Sequence, residues 1–114
     1  MTDDDLQKMI VRVATIGGEV AGFYSLAPSA GSWSLEGFWV LPELMQRGVG
    51  HALLRDALET AFGGNAVVVA VDADPNAERF YLRCGAVRVG EMTAPIPGDA
   101  DRIRPQLEFR KART

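Results

Sequence analysis

Two glycines separated by one residue, Gly48 and Gly50, stand between a run of apolar residues and a long amphipathic segment, and they constrain this chain more than any other feature. Ahead of them Phe38, Trp39, Val40 and Leu41 read as a buried strand, and Pro42 opens a turn. Behind them Val49, Leu53, Leu54, Ala57, Leu58, Ala61 and Phe62 recur at intervals of three and four. That spacing predicts a helix over residues 48–62 laid on a sheet, closed by Gly63, Gly64 and Asn65.

A residue without a Cβ where loop becomes helix lets backbone N–H groups crowd around a ligand oxygen. The first helical turn adds amides with no internal acceptor and the positive end of the macrodipole. Residues 46–51 (Gln46, Arg47, Gly48, Val49, Gly50, His51) therefore read as a cradle for a pyrophosphate. A Walker A loop needs a Gly-Lys pair, which is missing here. A dinucleotide-binding turn fits Gly48-x-Gly50 and Asp72 further on, but its third glycine would be Leu53. The segments upstream, moreover, look like hairpins rather than βαβ units.

The rest of the chain supports a single mixed α+β domain spanning residues 1–114. Ile10, Val11, Val13 and Ile16, then Gly17-Gly18, then Val20, Ala21, Phe23, Tyr24 and Leu26 form a hairpin signal. With a third strand from Trp33 to Leu41 they predict an antiparallel meander. Ala66 to Val71 is a continuous apolar run, expected as a strand buried on both faces. Asp74 as N-cap and Pro75 at the first helical position announce a second helix bearing Ala77, Phe80, Tyr81 and Cys84, stopped by Gly85. Two more strands, residues 86–92 and about 103–109, lie on either side of a loop with Pro95, Pro97 and Gly98.

A net charge of −3 gives no global reason to expect nucleic acid as a partner. The single cysteine, Cys84, excludes an internal disulfide, and no metal cluster is expected. No apolar run suits a membrane span and no signal peptide is evident, so the expected location is cytoplasmic, without a membrane partner.

Two stretches carry a family resemblance. Met45-Gln46-Arg47-Gly48-Val49-Gly50-His51-Ala52 resembles the acyl-CoA loop of the GNAT N-acetyltransferases, a Gln or Arg, two residues, Gly, one residue, then Gly or Ala, with Met45 departing from its first position. Asn76-Ala77-Glu78-Arg79-Phe80-Tyr81, with Gly85 beyond it, is similar to the family's other CoA-side motif. In matching element order, the resemblance covers about residues 11–109. It implies the acyl-CoA N-acyltransferase fold: a mostly antiparallel sheet with one splayed strand pair, flanked by helices. It implies acetyl-CoA as co-substrate, no metal, and a small-molecule or peptide amine as acceptor. The usual N-terminal strand and helices have no counterpart, so the chain is expected to be an N-terminally truncated member with exposed apolar sheet surface that a homodimer would cover.

The resemblance also implies roles. Phe38, Trp39 and Val40 supply main-chain groups to pantetheine, one N–H polarising the thioester carbonyl. Asn76 contacts CoA, Arg47 pairs with a phosphate, and Tyr81 protonates the departing thiolate. A lysine-like acceptor at pH 7 lies roughly 3.4 units below its pKa, about 4.6 kcal/mol, so direct attack in a ternary complex needs a base. Glu36, on the strand leading to the loop, is the candidate. His51 as a catalytic histidine and Cys84 as an acyl carrier are weaker readings, the latter because no base partner is apparent. Phe23, Tyr24, Trp33 and Trp39 are the aromatics available to wall an apolar acceptor pocket, although aromatics on strands are more often core. The alternative function is an acyl-CoA-binding regulatory domain that does not turn over.

Overall fold

The computed structural model describes residues 9–112. Its six strands are β1 (Ile10–Ile16), β2 (Glu19–Ala27), β3 (Ser32–Val40), β4 (Val68–Asp72), β5 (Val87–Thr93) and β6 (Ile103–Arg110). Its α-helices are α1 (Val49–Gly63) and α2 (Glu78–Arg83), each preceded by a 3-10 turn, Pro42–Arg47 and Pro75–Ala77. The sheet runs β1-β2-β3-β4-β6-β5 and is antiparallel throughout except for the parallel pair β3–β4. That pair is joined through α1, the crossover that parallel strands require. The expected meander and mixed α+β sheet are both present.

One face of the sheet carries the core. Tyr24, Leu26, Leu35, Val69, Val71, Leu107 and Phe109 pack beneath Leu53, Leu54, Ala57 and Ala61 of α1 and Tyr81 of α2. The apolar periodicity of α1 thus selects the residues that meet the sheet. Tyr24 is fully buried, and its hydroxyl donates to Asp56 Oδ2 at 2.6 Å, which ties β2 to the middle of α1.

Three local expectations change. Residues 42–47 coil into a 3-10 helix instead of an open turn and loop. The second helix is split: Asp74 caps the 3-10 turn, accepting from the Asn76 N–H at 2.8 Å, and α2 has only six residues. Strand β4 is not buried on both faces, because Val69 and Val71 enter the core while Val68 and Ala70 are half-buried and Val67 before them is 58% exposed. Among the described residues no helix covers that second face, so an apolar run there ends half in solvent.

On this open face Val11 and Val13 of β1 stand exposed beside Phe23 and Trp39, whose rings stack at 6.3 Å. The register places Val13 opposite Phe23 and Phe23 opposite Trp39, a cross-strand row of three. The row ends at Trp39, which has no partner on β4. Of the four aromatics available for an acceptor wall, Trp33 and Tyr24 are core, and only Phe23 and Trp39 lie on the open face.

Candidate active site at the parting of two strands

Strand β3 pairs with β4 only through Ser32–Leu35. Beyond Leu35 and Val71 the two strands diverge, and Glu36 to Val40 keep hydrogen-bonded company with β2 alone. One backbone edge of β3 thereby faces open space, the splay expected for this sheet. A β-bulge sits at the point of divergence: Leu26 pairs with Leu35 and Ser25 with Gly37, leaving Glu36 as the extra residue. The bulge sends the Glu36 carboxylate to the open face, where Oε2 accepts from Ser34 Oγ at 2.8 Å.

On the helix face, two clefts meet along the free edge of β3. One, about 420 Å³, is walled by Phe38, Trp39 and Val40 on β3 and by Asn76, Phe80 and Tyr81. The other, about 540 Å³, is walled by Gln46, Gly48 and His51 on the glycine loop and by Asn76, Arg79 and Arg83. Met45, Asn76 and Phe80 border both, so the two form one groove from the strand edge to the start of α1.

The glycines are there for separate reasons. Gly48, the residue preceding α1, has φ +82°, a left-handed conformation that side chains resist. Gly50 is buried, and a Cβ on it would lie 3.3 Å from Met45 Sδ and 3.4 Å from the Phe80 ring. Its absence lets Phe80 close against the helix end. The first intrahelical bond of this turn runs from the Ala52 N–H to Gly48 O, so the amides of Val49, Gly50 and His51 are free to point at a ligand.

Tyr81 is 7% exposed, held edge-on by Phe38, Phe80 and Phe109 at ring separations of 5.4 to 6.3 Å. Burial, reinforced by nearby Cys84, pushes its pKa up to about 12. The phenol is therefore a proton donor at every physiological pH. Asn76 leaves the capping to Asp74 and its own backbone, and its side chain borders both clefts.

His51 is exposed; its Nδ1 lies 3.5 Å from Cys84 Sγ and its ring stands edge-on to Phe80. Cys84 thus has an imidazole neighbour that its sequence position does not reveal. Burial nevertheless raises the thiol pKa, which disfavours a nucleophilic thiolate. Arg47 is exposed and lies outside both clefts, whereas Arg79 and Arg83 line the cleft beside the glycine loop. Their four-residue spacing on α2 was the available signal, since such a pair shares one helix face.

The family model for the Acetyltransferase (GNAT) family matches residues 2–86. The chain belongs to the GNAT acetyltransferase family. Its fold is that of many solved members. An acetyltransferase from Bacillus cereus shares 18% identity at a TM-score of 0.78, over 97% of this chain and 80% of that one. An aminoglycoside 6'-N-acetyltransferase complexed with coenzyme A shares 16% at 0.77, over 93% and 75%. The ribosomal-protein-S18-alanine N-acetyltransferase of Escherichia coli shares 14% at 0.78, over 93% and 71%. Among curated proteins none matches by sequence. Within the described residues no helix is long and apolar enough to cross a membrane.

Proposed function

We propose that the chain is a single-domain, acetyl-CoA-dependent N-acetyltransferase that acts on a primary amine by direct attack within a ternary complex. The observation that carries this reading is the parting of β3 from β4 beside the free amides of α1, with a buried, protonated Tyr81 in the wall between them. The α1 amides, with Arg79 and Arg83, suit the diphosphate of coenzyme A. The free edge of β3 at Phe38, Trp39 and Val40 suits the amides of pantetheine, which would add to the sheet as a further strand does. Asn76 borders both segments.

In the transfer itself, Glu36 takes the proton of the incoming ammonium, directly or through water, and the amine attacks the thioester carbonyl. An N–H on the β3 edge steadies the oxygen as it gains charge. As the C–S bond breaks, Tyr81 delivers its proton to the departing sulfur, and the proton shed by the new amide nitrogen restores the phenol through solvent. Glu36 lies on the open face and Tyr81 on the helix face, so base and acid approach the gap between the strands from opposite sides. That arrangement suits two substrates entering separately. The exposed row of Val11, Val13, Phe23 and Trp39 supports a homodimer in solution, to be read from light scattering on an eluting size-exclusion peak.

Calorimetric titration with acetyl-CoA and with free CoA, then thiol release over a panel of amines, tests the activity. Micromolar binding with release on any amine is the expected result. Binding without release on any amine would replace the enzyme by an acyl-CoA-binding regulatory domain.

A further inference from the structure

Where β3 and β4 part, the open face holds a second cavity of about 290 Å³, bounded by Ser34, Glu36, Ala70, Asp72, Arg104 and Gln106. Its polar groups are arranged asymmetrically. Arg104 is committed to one neighbour: Nε donates to Asp72 Oδ1 at 2.8 Å and Nη2 donates to the Asp72 backbone carbonyl at 2.9 Å. Gln106 Nε2 donates to the same Oδ1 at 2.9 Å. Among the described residues Asp72 Oδ2 takes no hydrogen bond, and neither does Glu36 Oε1, whose partner oxygen is held by Ser34.

Two carboxylates against one guanidinium leave the bay one unit negative, with the positive charge turned inward onto Asp72 and its backbone. A carboxylate has about four lone-pair sites, so each acid retains capacity for a donor. The Arg104 contact also holds Asp72 ionised, drawing its pKa below the usual carboxylate value.

We propose that this bay is the acceptor end of the site and that it selects an amine carrying a second positive charge, with Asp72 receiving the distal ammonium. The proposal rests on the acetyl-transfer reading above and deepens it. Glu36, at the bulge, faces the reacting nitrogen, and Asp72, at the end of β4, faces the far end of the acceptor. Asp72 is thus a specificity-determining residue.

Three amines on a common butane skeleton separate the possibilities: butane-1,4-diamine, n-butylamine and 4-aminobutanoate, whose far ends are cationic, neutral and anionic. Binding is followed by NMR on the wild-type protein without cofactor, through the side-chain amide of Gln106. The diamine should bind roughly tenfold more tightly than butylamine, as befits partly exposed ion pairs, and aminobutanoate most weakly. Asp72→Asn should reduce the diamine to the level of butylamine. Because Asp72 also holds Arg104, the wild type is measured again in 0.5 M salt (roughly threefold the physiological strength), where screening should erase the same preference.

Equal binding of diamine and butylamine overturns the proposal, as does an Asp72→Asn protein that is folded and keeps the preference. Tightest binding of aminobutanoate also overturns it, and would make Arg104 the anchor. Failure of the acetyl-transfer reading would appear instead in the acetyl-CoA titration, which this ranking of amines does not use.

Discussion

Gly22 and Gly37 lie on neighbouring strands of one hairpin and look to opposite faces of the sheet, and what each avoids differs in kind. A Cβ on Gly22 would lie 2.5 Å from the Trp39 carbonyl oxygen and 3.2 Å from Leu53 of α1. A Cβ on Gly37 would lie 2.8 Å from Ser25 Oγ and 3.3 Å from the Phe23 ring. On the helix face the obstacle is backbone locked under a packed helix. On the open face it is a short side chain at the edge of a bulge. The helix face is held by close packing, which resists change, and the open face by hydrogen bonds and ion pairs at the surface, which yield. The proposed acid belongs to the first environment and the proposed base to the second.

The largest expected effect is on the helix face. Tyr81→Phe removes the proposed acid and keeps the ring in its aromatic cage, so turnover should fall by ~10²–10³-fold while calorimetry finds CoA binding unchanged. Turnover within twofold of wild type would take the acid role from Tyr81.

The pH dependence of folding should separate the faces next. Tyr81 has its pKa raised from 10 to about 12 by burial, so its contribution is fully present below pH 10 and is lost as pH rises through about 12. Two units correspond to about 3 kcal/mol, readable as a fall in denaturation midpoint between pH 10 and 12 that is shallower in Tyr81→Phe, where buried Tyr24, its pKa also raised, still contributes. Asp72 has its pKa lowered, so its contribution is present above the ordinary carboxylate value and lost as pH falls below it. With its side chain 53% exposed, that acid limb should be the shallower one.

The glycines come third and fourth. Gly22→Ala must move the backbone of β3 against α1, and urea denaturation should show a loss of about 3 kcal/mol. Gly37→Ala should cost about 1–2 kcal/mol, and Ser25→Ala in the same chain should restore most of it by removing the oxygen it strikes. If the Ser25 change rescued Gly22→Ala equally well, the contrast between the two faces would be wrong.

Much of the site was legible because its signals are local. Gly48 and Gly50 announce a helix start that leaves amides free, and Asp74-Pro75 announces a cap, whatever the rest of the chain does. The periodicity of α1 named the buried Leu53, Leu54, Ala57 and Ala61 along with the partly buried Val49, Leu58 and Phe62, and Gly17-Gly18 named the first hairpin. The bulge at Glu36 went unread: Gly37 inside the strand is the kind of residue that often marks one, but it does not say which neighbour is left without a partner on β2. The position of Arg79 and Arg83 beside the glycine loop was obscured in another way: arginines four apart on a short helix are ordinary until the loop they face is known. Asp72 and Arg104 are 32 residues apart in the chain, and only the pairing of β4 with β6 joins them.

By itself, then, the sequence determined the element types, the glycine-to-helix junction and the identity of the groups on it, since these arise from backbone conformational preference and spacing along one strand or helix. Tertiary structure alone decided the order β1-β2-β3-β4-β6-β5, which face each strand shows, and where β3 leaves β4. Side chains alternate across a sheet, so one extra residue in β3 reverses the face of every residue after it in the strand. That reversal puts Glu36 and Gly37 together on the open face and returns Phe38 to the side of Tyr81.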